Sequence, residues 1–307
     1  MPPALPPLLV LLALAVPAPA QNPPVFGVGL DVVKVTVTVR DEAGRLVSNL
    51  RAGDFTIKED GRVQKLAVFA PAADPADREE LALNLGMLFD TSTSMREHLR
   101  LSQQSAVRFL DSIPRARDLI LIFFDRDIRI SHYNSENQQG IFGRILETKG
   151  EGFTALYDAI AIYVSRVMGT PGRKVLVLFT DGDDTTSRIS AGDVIKLIRS
   201  TNVTIYPVAF GGQGSDPAEV RARAFLGELA RSSGGQVFRP LASRELAGIY
   251  TGILDELSSQ YVLGYVSDNP KRDGSYRHLE VEVERPDLRL RYRPGYIAPE
   301  EPESARR

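Results

Sequence analysis

Residues 81–94 read LALNLGMLFDTSTS. From Leu81 to Phe89 the run is almost continuously apolar, and it stops at Asp90. A strand covered on both faces has this pattern, because neither face is kept for water. Similar runs recur at Leu119–Phe124, at Val175–Phe179 before Thr180-Asp181-Gly182, and at Val203–Phe210. The spaces between them carry helical spacing. Leu99, Ala106, Phe109 and Leu110 mark one face of a helix over residues 95–112. Further helices are expected over 154–167, 191–199, 217–230 and 243–259, with Pro217 placed in a first turn and Ser243 placed as a cap. A short strand is expected at 236–238. This alternation predicts an α/β, Rossmann-like domain over residues 81–260, with a mostly parallel sheet and helices on both faces. Ligands of such sheets sit beyond the carboxyl ends of the strands, where Asp90 and Asp181 both fall.

The flanks follow another rule. Val33, Val35, Val37 and Val39 alternate with polar residues, as do Leu279, Val281 and Val283 with Glu280, Glu282 and Glu284. That is the period of half-buried strands. Asp60-Gly61 predicts a tight turn. Segments 21–70 and 261–298 are each short for a core of their own, so one β-sandwich-like domain built from both, with the α/β domain inserted, is expected. Residues 71–80, PAADPADREE, read as a linker, and 299–307 as a polar tail.

Composition narrows the function. The chain has 307 residues, 43% hydrophobic and 25% charged, with a formal net charge of -2. Nothing in that balance favours nucleic acid as a partner. Cysteine is absent, which excludes disulfides, thiol catalysis and Cys-based zinc or iron–sulfur sites. Residues 1–20 carry no charged side chain, and their apolar core from Leu8 to Val16 is too short to span a bilayer. Ala18-Pro19-Ala20 then has the small residues of a cleavage site. A secretory signal peptide is expected, with residence in the periplasm or at the cell surface and no stable membrane span after its removal.

Three fragments carry the chemistry: Asp90, Ser92 and Ser94 in DTSTS, Thr154 in GFTALYDAI, and Asp181 in LFTDGDD. In an extended loop Asp90, Ser92 and Ser94 share a side. Two carboxylates and three hydroxyls form a hard-oxygen donor set for Mg²⁺, with Ca²⁺ or Mn²⁺ as alternatives. Neutral hydroxyls leave the cation able to accept a partner's carboxylate in place of water. Taken separately, DTSTS also suits a solvated loop, Thr154 a helix cap and Thr180-Asp181-Gly182 a turn; their shared place at one sheet edge favours the metal. Asp125, Asp127, Asp158, Asp183 and Asp184 are read as rim, loop or capping residues.

Over residues 83–260 the chain resembles the von Willebrand factor A domain family, whose DxSxS signature matches Asp90, Ser92 and Ser94. The family's loop threonine matches Thr154 and its later aspartate matches Asp181. The resemblance implies a complete metal-ion-dependent adhesion site. It also implies that the serines bind the metal directly, the threonine in the ligand-bound state, and the aspartates directly or through water. VVKVTVTVRDEAGRLV, LRAGDFTIKEDG, YVLGYVSDNPKRDGSYRHLEVEVERP and RPGY resemble the flanks of exported VWFA-related proteins of the Acidobacteria type.

An adhesion or protein-binding module that captures a partner's Asp or Glu is therefore expected. A structural subunit with a purely stabilising metal, and a metal-dependent hydrolase, are the alternatives. The hydrolase lacks support: His98, His132 and His278 are scattered, and no HExxH, GxSxG or Walker A pattern occurs.

Overall fold

The computed structural model describes residues 32–71, 82–112, 118–134, 140–150, 152–211 and 214–301. The proposed leader and most of the proposed linker lie outside these residues.

The chain forms a five-stranded sheet in the order β7-β6-β5-β8-β9. Its strands are β5 (Leu83–Asp90), β6 (Asp118–Phe124), β7 (Ile128–Asn134), β8 (Arg173–Thr180) and β9 (Val203–Ala209). All pair in parallel except β7, which returns antiparallel beside β6. Among the described residues six helices accompany the sheet: α1 (Arg96–Ser112), α2 (Ile141–Glu147), α3 (Leu156–Val167), α4 (Ala191–Arg199), α5 (Pro217–Ser233) and α6 (Ser243–Leu257).

Alternation along β5 decides which helices cover which face. Leu85, Met87 and Phe89 pack with α1, α2 and α6 in one core, while Leu88 joins α3, α4 and α5 in the other. Gly86 points toward the second core, where a Cβ would stand 2.1 Å from the Tyr163 ring. The Tyr163 hydroxyl donates to the Val175 carbonyl at 2.9 Å, which fixes the ring against the strand.

Strands from both ends of the chain form two further sheets, ordered β12-β1-β10-β4 and β13-β11-β2-β3. They comprise β1 (Val32–Arg40), β2 (Phe55–Glu59), β3 (Arg62–Gln64), β4 (Leu66–Pro71), β10 (Tyr261–Val266), β11 (Tyr276–Val283), β12 (Arg289–Arg291) and β13 (Gly295–Ile297). Val35, Val37, Ile57, Leu263, Tyr265 and Val281 lie in the core between them. The fold is thus a Rossmann-like α/β domain inserted in a β-sandwich-like domain. Asp60 and Gly61 both take positive φ, 47° and 78°, in the turn between β2 and β3, as a two-residue hairpin requires.

Several local expectations shift. Helix α3 begins at Leu156, with Ala155 in the cap position, so Thr154 belongs to the preceding loop. Ala242 occupies the cap position of α6, making Ser243 its first residue rather than its cap. Residues 236–238 contribute one bridge, Val208 to Phe238, instead of a strand. Helix α5 runs on to Ser233, and Gly234 closes it with φ 76°. β7 and α2 are additional to the expected elements and carry weak sequence signals: IRISHYN alternates weakly on a half-exposed edge, and α2 has only seven residues.

Candidate metal centre

Strand order creates the site. The connection from β5 leads to β6 on one side, while β8 pairs with β5 on the other. The chain therefore parts at the carboxyl ends of β5 and β8, the switch point where α/β sheets leave a crevice. Asp90 ends β5 and Thr180 ends β8. One residue below, Phe89 stacks on Phe179 at 4.6 Å and on Phe123 at 5.4 Å, giving the crevice a solid apolar floor.

Asp90 is 1% exposed. Its Oδ1 accepts the Ser92 N–H at 2.9 Å, and its Oδ2 accepts the Thr180 hydroxyl at 2.7 Å. Burial, and then the nearby negative charge of Asp181, push its pKa up to about 7 despite these hydrogen bonds. Among the described residues, neither Asp90 nor Asp181 has a cationic side chain as partner. The nearest arginine work is done elsewhere: Arg129 donates to Asp125 Oδ2 at 2.7 Å and to the Thr91 hydroxyl at 3.0 Å. Burial raises the Asp125 pKa, but hydrogen bonds from Arg129, the Asp127 N–H and Thr91 hold it below the ordinary value.

The hydroxyl oxygens of Ser92 and Ser94 lie 3.1 Å apart. Metal–oxygen bonds of about 2.1 Å place adjacent vertices of an octahedron about 3.0 Å apart. The two serines therefore fit neighbouring positions on a Mg²⁺-sized ion. The donor chemistry agrees. Among the described residues no group of three or more His, Cys, Asp or Glu side chains is arranged to hold a metal ion; two carboxylates with hydroxyls would suit a hard cation over zinc or copper.

The Thr154 loop reaches the same place. Thr93 N–H donates to the Gly152 carbonyl at 3.2 Å, and Gly152 N–H donates to the Thr93 hydroxyl at 3.1 Å. At Gly150 a Cβ would stand 3.4 Å from the Ser92 and Thr91 carbonyls, so the loop runs closely over DTSTS. Thr154 is 3% exposed, and its carbonyl accepts the N–H groups of Thr185 and Thr186. That last contact joins the loop to the segment after Asp181. Asp181 accepts the Asp183 N–H at 3.1 Å and is half-buried. Asp184 is absorbed by structure, accepting from the Tyr157 N–H and the Ser187 hydroxyl. Asp158 likewise accepts the N–H groups of Arg188 and Ile189.

Two more residues stand out at this edge, Thr180 within the site and Phe153 beside it. Thr180, fully buried, orients Asp90 and also accepts the Gly182 N–H at 3.0 Å. Its signal was its place as the last strand residue before Asp181. Phe153 is 63% exposed one residue before Thr154, an outlier for an aromatic side chain in a loop so firmly bonded.

A doubly wound α/β domain with acidic and hydroxyl side chains gathered at its switch point defines a class of ligand-binding modules. The profile of the von Willebrand factor type A domain matches residues 84–251, and the chain belongs to that family. It is similar to an uncharacterized protein of Borreliella burgdorferi, with 24% identity over 140 residues that cover 44% of this chain and 40% of that protein. The match thus spans well under half of that relative. Among solved structures it is similar to a von Willebrand factor type A protein from Catenulispora acidiphila, with TM-score 0.48, 10% identity, and coverage of 90% of this chain and 76% of that one. A pilus adhesin, SpaC from Lactobacillus rhamnosus GG, aligns with TM-score 0.49, 10% identity, and coverage of 80% and 48%. Among the described residues no helix is long and apolar enough to cross a membrane.

Proposed function

We propose that this chain is an exported protein-binding module that captures a partner's Asp or Glu carboxylate at a divalent cation. Asp90, Ser92, Ser94, Thr154 and Asp181 would hold the cation, Mg²⁺ in the first instance with Ca²⁺ or Mn²⁺ as alternatives. These five form the complete metal-ion-dependent adhesion site of the family, and the flanks are those of the exported bacterial type. The observation that carries the reading is the 3.1 Å spacing of the two serine hydroxyls beside a buried, cation-free Asp90. Bound there, the cation would supply a Lewis-acidic position for an incoming carboxylate. The chain's own groups do the rest. Thr180 and the Ser92 N–H orient Asp90, Asp181 adds the second negative charge, and the bonded loops keep the rim in place.

Titration calorimetry with Mg²⁺ and pull-down with Mg²⁺ against EDTA test this reading. The wild type should take up Mg²⁺ and capture acidic peptides only with the metal present. Ser92→Ala with Ser94→Ala should abolish both. Metal uptake without affinity for acidic peptides would favour a purely stabilising ion. The absence of uptake of Mg²⁺, Ca²⁺ and Mn²⁺ alike would refute the proposal.

A further inference from the structure

A cleft of about 680 Å³ opens directly beside the proposed metal position. Its lining begins at Ala155, the residue after Thr154, and runs along the exposed side of α3 to Ile162. One wall is the turn between β6 and β7, which carries Arg126 and Asp127; the other is the loop that carries Thr186 and Arg188. The floor is apolar, with Ile128 and Ile189 joining Ala161.

The charges in this cleft are unevenly satisfied. Asp158 is internally compensated: both its oxygens accept backbone N–H groups, and it sits in the first turn of α3, where the helix dipole favours an anion. Arg126 and Arg188 are exposed, and among the described residues neither guanidinium has a hydrogen-bond or carboxylate partner. Asp127 is the one remaining carboxylate, so two free cations face a single free anion. The neighbouring arginine on β7, Arg129, is occupied by Asp125 and is turned toward Thr91. The cleft walls are also stiff where it matters. The Ala155 N–H donates to the Asp125 carbonyl at 2.9 Å, and the Arg188 N–H is held by Asp158. The backbone that carries Arg188 is thereby fixed, whereas the two exposed guanidinium groups become ordered only when an acidic side chain enters, which offsets part of the binding energy.

We infer that the partner presents two acidic residues: one carboxylate for the cation and a second that enters this cleft between Arg126 and Arg188. This rests on the metal-dependent reading above and deepens it, because it specifies an acidic segment rather than a lone Asp or Glu. Because the cation position beside Thr154 and the cleft whose lining starts at Ala155 lie on one surface, the two acids are expected at a recurring spacing. Each guanidinium contact is solvent-exposed and worth little alone, so the pair together is expected to change affinity about tenfold.

The test is selection from a random displayed peptide library on the immobilised full chain in Mg²⁺, with elution by EDTA. Wild-type selections should recover peptides with two acidic residues at one recurring spacing. Arg126→Gln with Arg188→Gln should recover peptides with a single acid and no second preference. Resynthesised two-acid peptides should bind the wild type about tenfold more tightly than the double variant, and the difference should shrink at high salt. Single-acid motifs from wild type and variant alike would overturn the second-acid inference and leave the metal reading standing. No EDTA-released enrichment from the wild type would overturn both.

Discussion

Glu59 gives the sharpest test of how the two chain ends are joined. It lies on β2, from the N-terminal flank, and its side chain is 2% exposed. Its carboxylate accepts from the hydroxyls of Tyr265 at 2.6 Å, Tyr296 at 2.8 Å and Ser267 at 2.6 Å, and from Arg277 Nη1 at 3.0 Å. All four donors come from the C-terminal flank. Replacing Glu59 with alanine leaves the Arg277 guanidinium buried without its anion and strips two buried phenols of their acceptor. Removing one partner of a buried ion pair costs about 3–5 kcal/mol, and that range is the expected loss. Urea unfolding followed by circular dichroism measures it. Arg277→Met in the Glu59→Ala background should return part of the loss, because the stranded charge goes too. The pH dependence has a definite sign. Burial alone would raise the Glu59 pKa, but the hydroxyls of Ser267, Tyr265 and Tyr296 and the charge of Arg277 hold it below its ordinary value of 4.5. Its contribution is therefore fully present above pH 4.5 and is lost as pH falls through the lower folded value. A Glu59→Ala loss below about 1 kcal/mol, or an unchanged acid limb of the stability curve, would refute the account of this cluster as the main tie.

Three further outcomes are expected. Gly86→Ala should lower stability by about 1–3 kcal/mol in urea unfolding, because its Cβ would meet the Tyr163 ring at 2.1 Å, and Tyr163→Ala in the same chain should relieve the overpacking component. Phe153→Ala should leave the unfolding midpoint unchanged, since the ring is 63% exposed, yet weaken Mg²⁺-dependent peptide capture by about tenfold or more in biolayer interferometry if the ring anchors the partner. In EDTA, Asp90→Asn should melt no lower than the wild type, because it removes a buried anion that faces Asp181; Mg²⁺ at about 100 times its Kd should stabilise the wild type by about 2.7 kcal/mol and the variant far less.

Legibility in the sequence followed burial. The central strands β5, β6, β8 and β9 announced themselves because both faces are covered, which leaves an unbroken apolar run. The flanking strands showed the period of two because one face meets water, as in the alternation of Leu279 and Val281 with Glu280 and Glu282. Edge strand β7 did not, because its pattern mixes Ile128 and Ile130 with Arg129, His132 and Tyr133 at a half-exposed margin. At the candidate site the DTSTS spacing was readable as local geometry. Thr180 was not, because a threonine closing an apolar strand looks like any strand residue until the neighbouring strand places Asp90 within 2.7 Å of its hydroxyl. Arg126 and Arg188 were unreadable for the same reason: surface arginines are common, and only the fold puts these two across one cleft.

The end of α6 carries polar contacts that join the inserted domain to the sandwich. Glu256, 1% exposed, accepts from Tyr206 on β9, from Gln260, from Arg40 on β1 and from Arg291 on β12. Gln260 also donates to the Thr38 hydroxyl, which is why Thr38 is buried where simple alternation on β1 would expose it. Arg173, at the start of β8, donates to the Leu257 carbonyl and so satisfies one of the orphan acceptors at the helix end. Arg293 bridges the Thr201 and Lys34 carbonyls, one from each domain. A displacement of α6 along its axis would have to carry Glu256 away from two arginines at once, leaving buried charge uncompensated at a cost of several kcal/mol. The contacts from β1 and β12 therefore oppose sliding of the helix past the sandwich. A helix whose other end packs against the core beneath Asp90, through Leu246 and Tyr250, is by this geometry mechanically continuous with the β-sandwich.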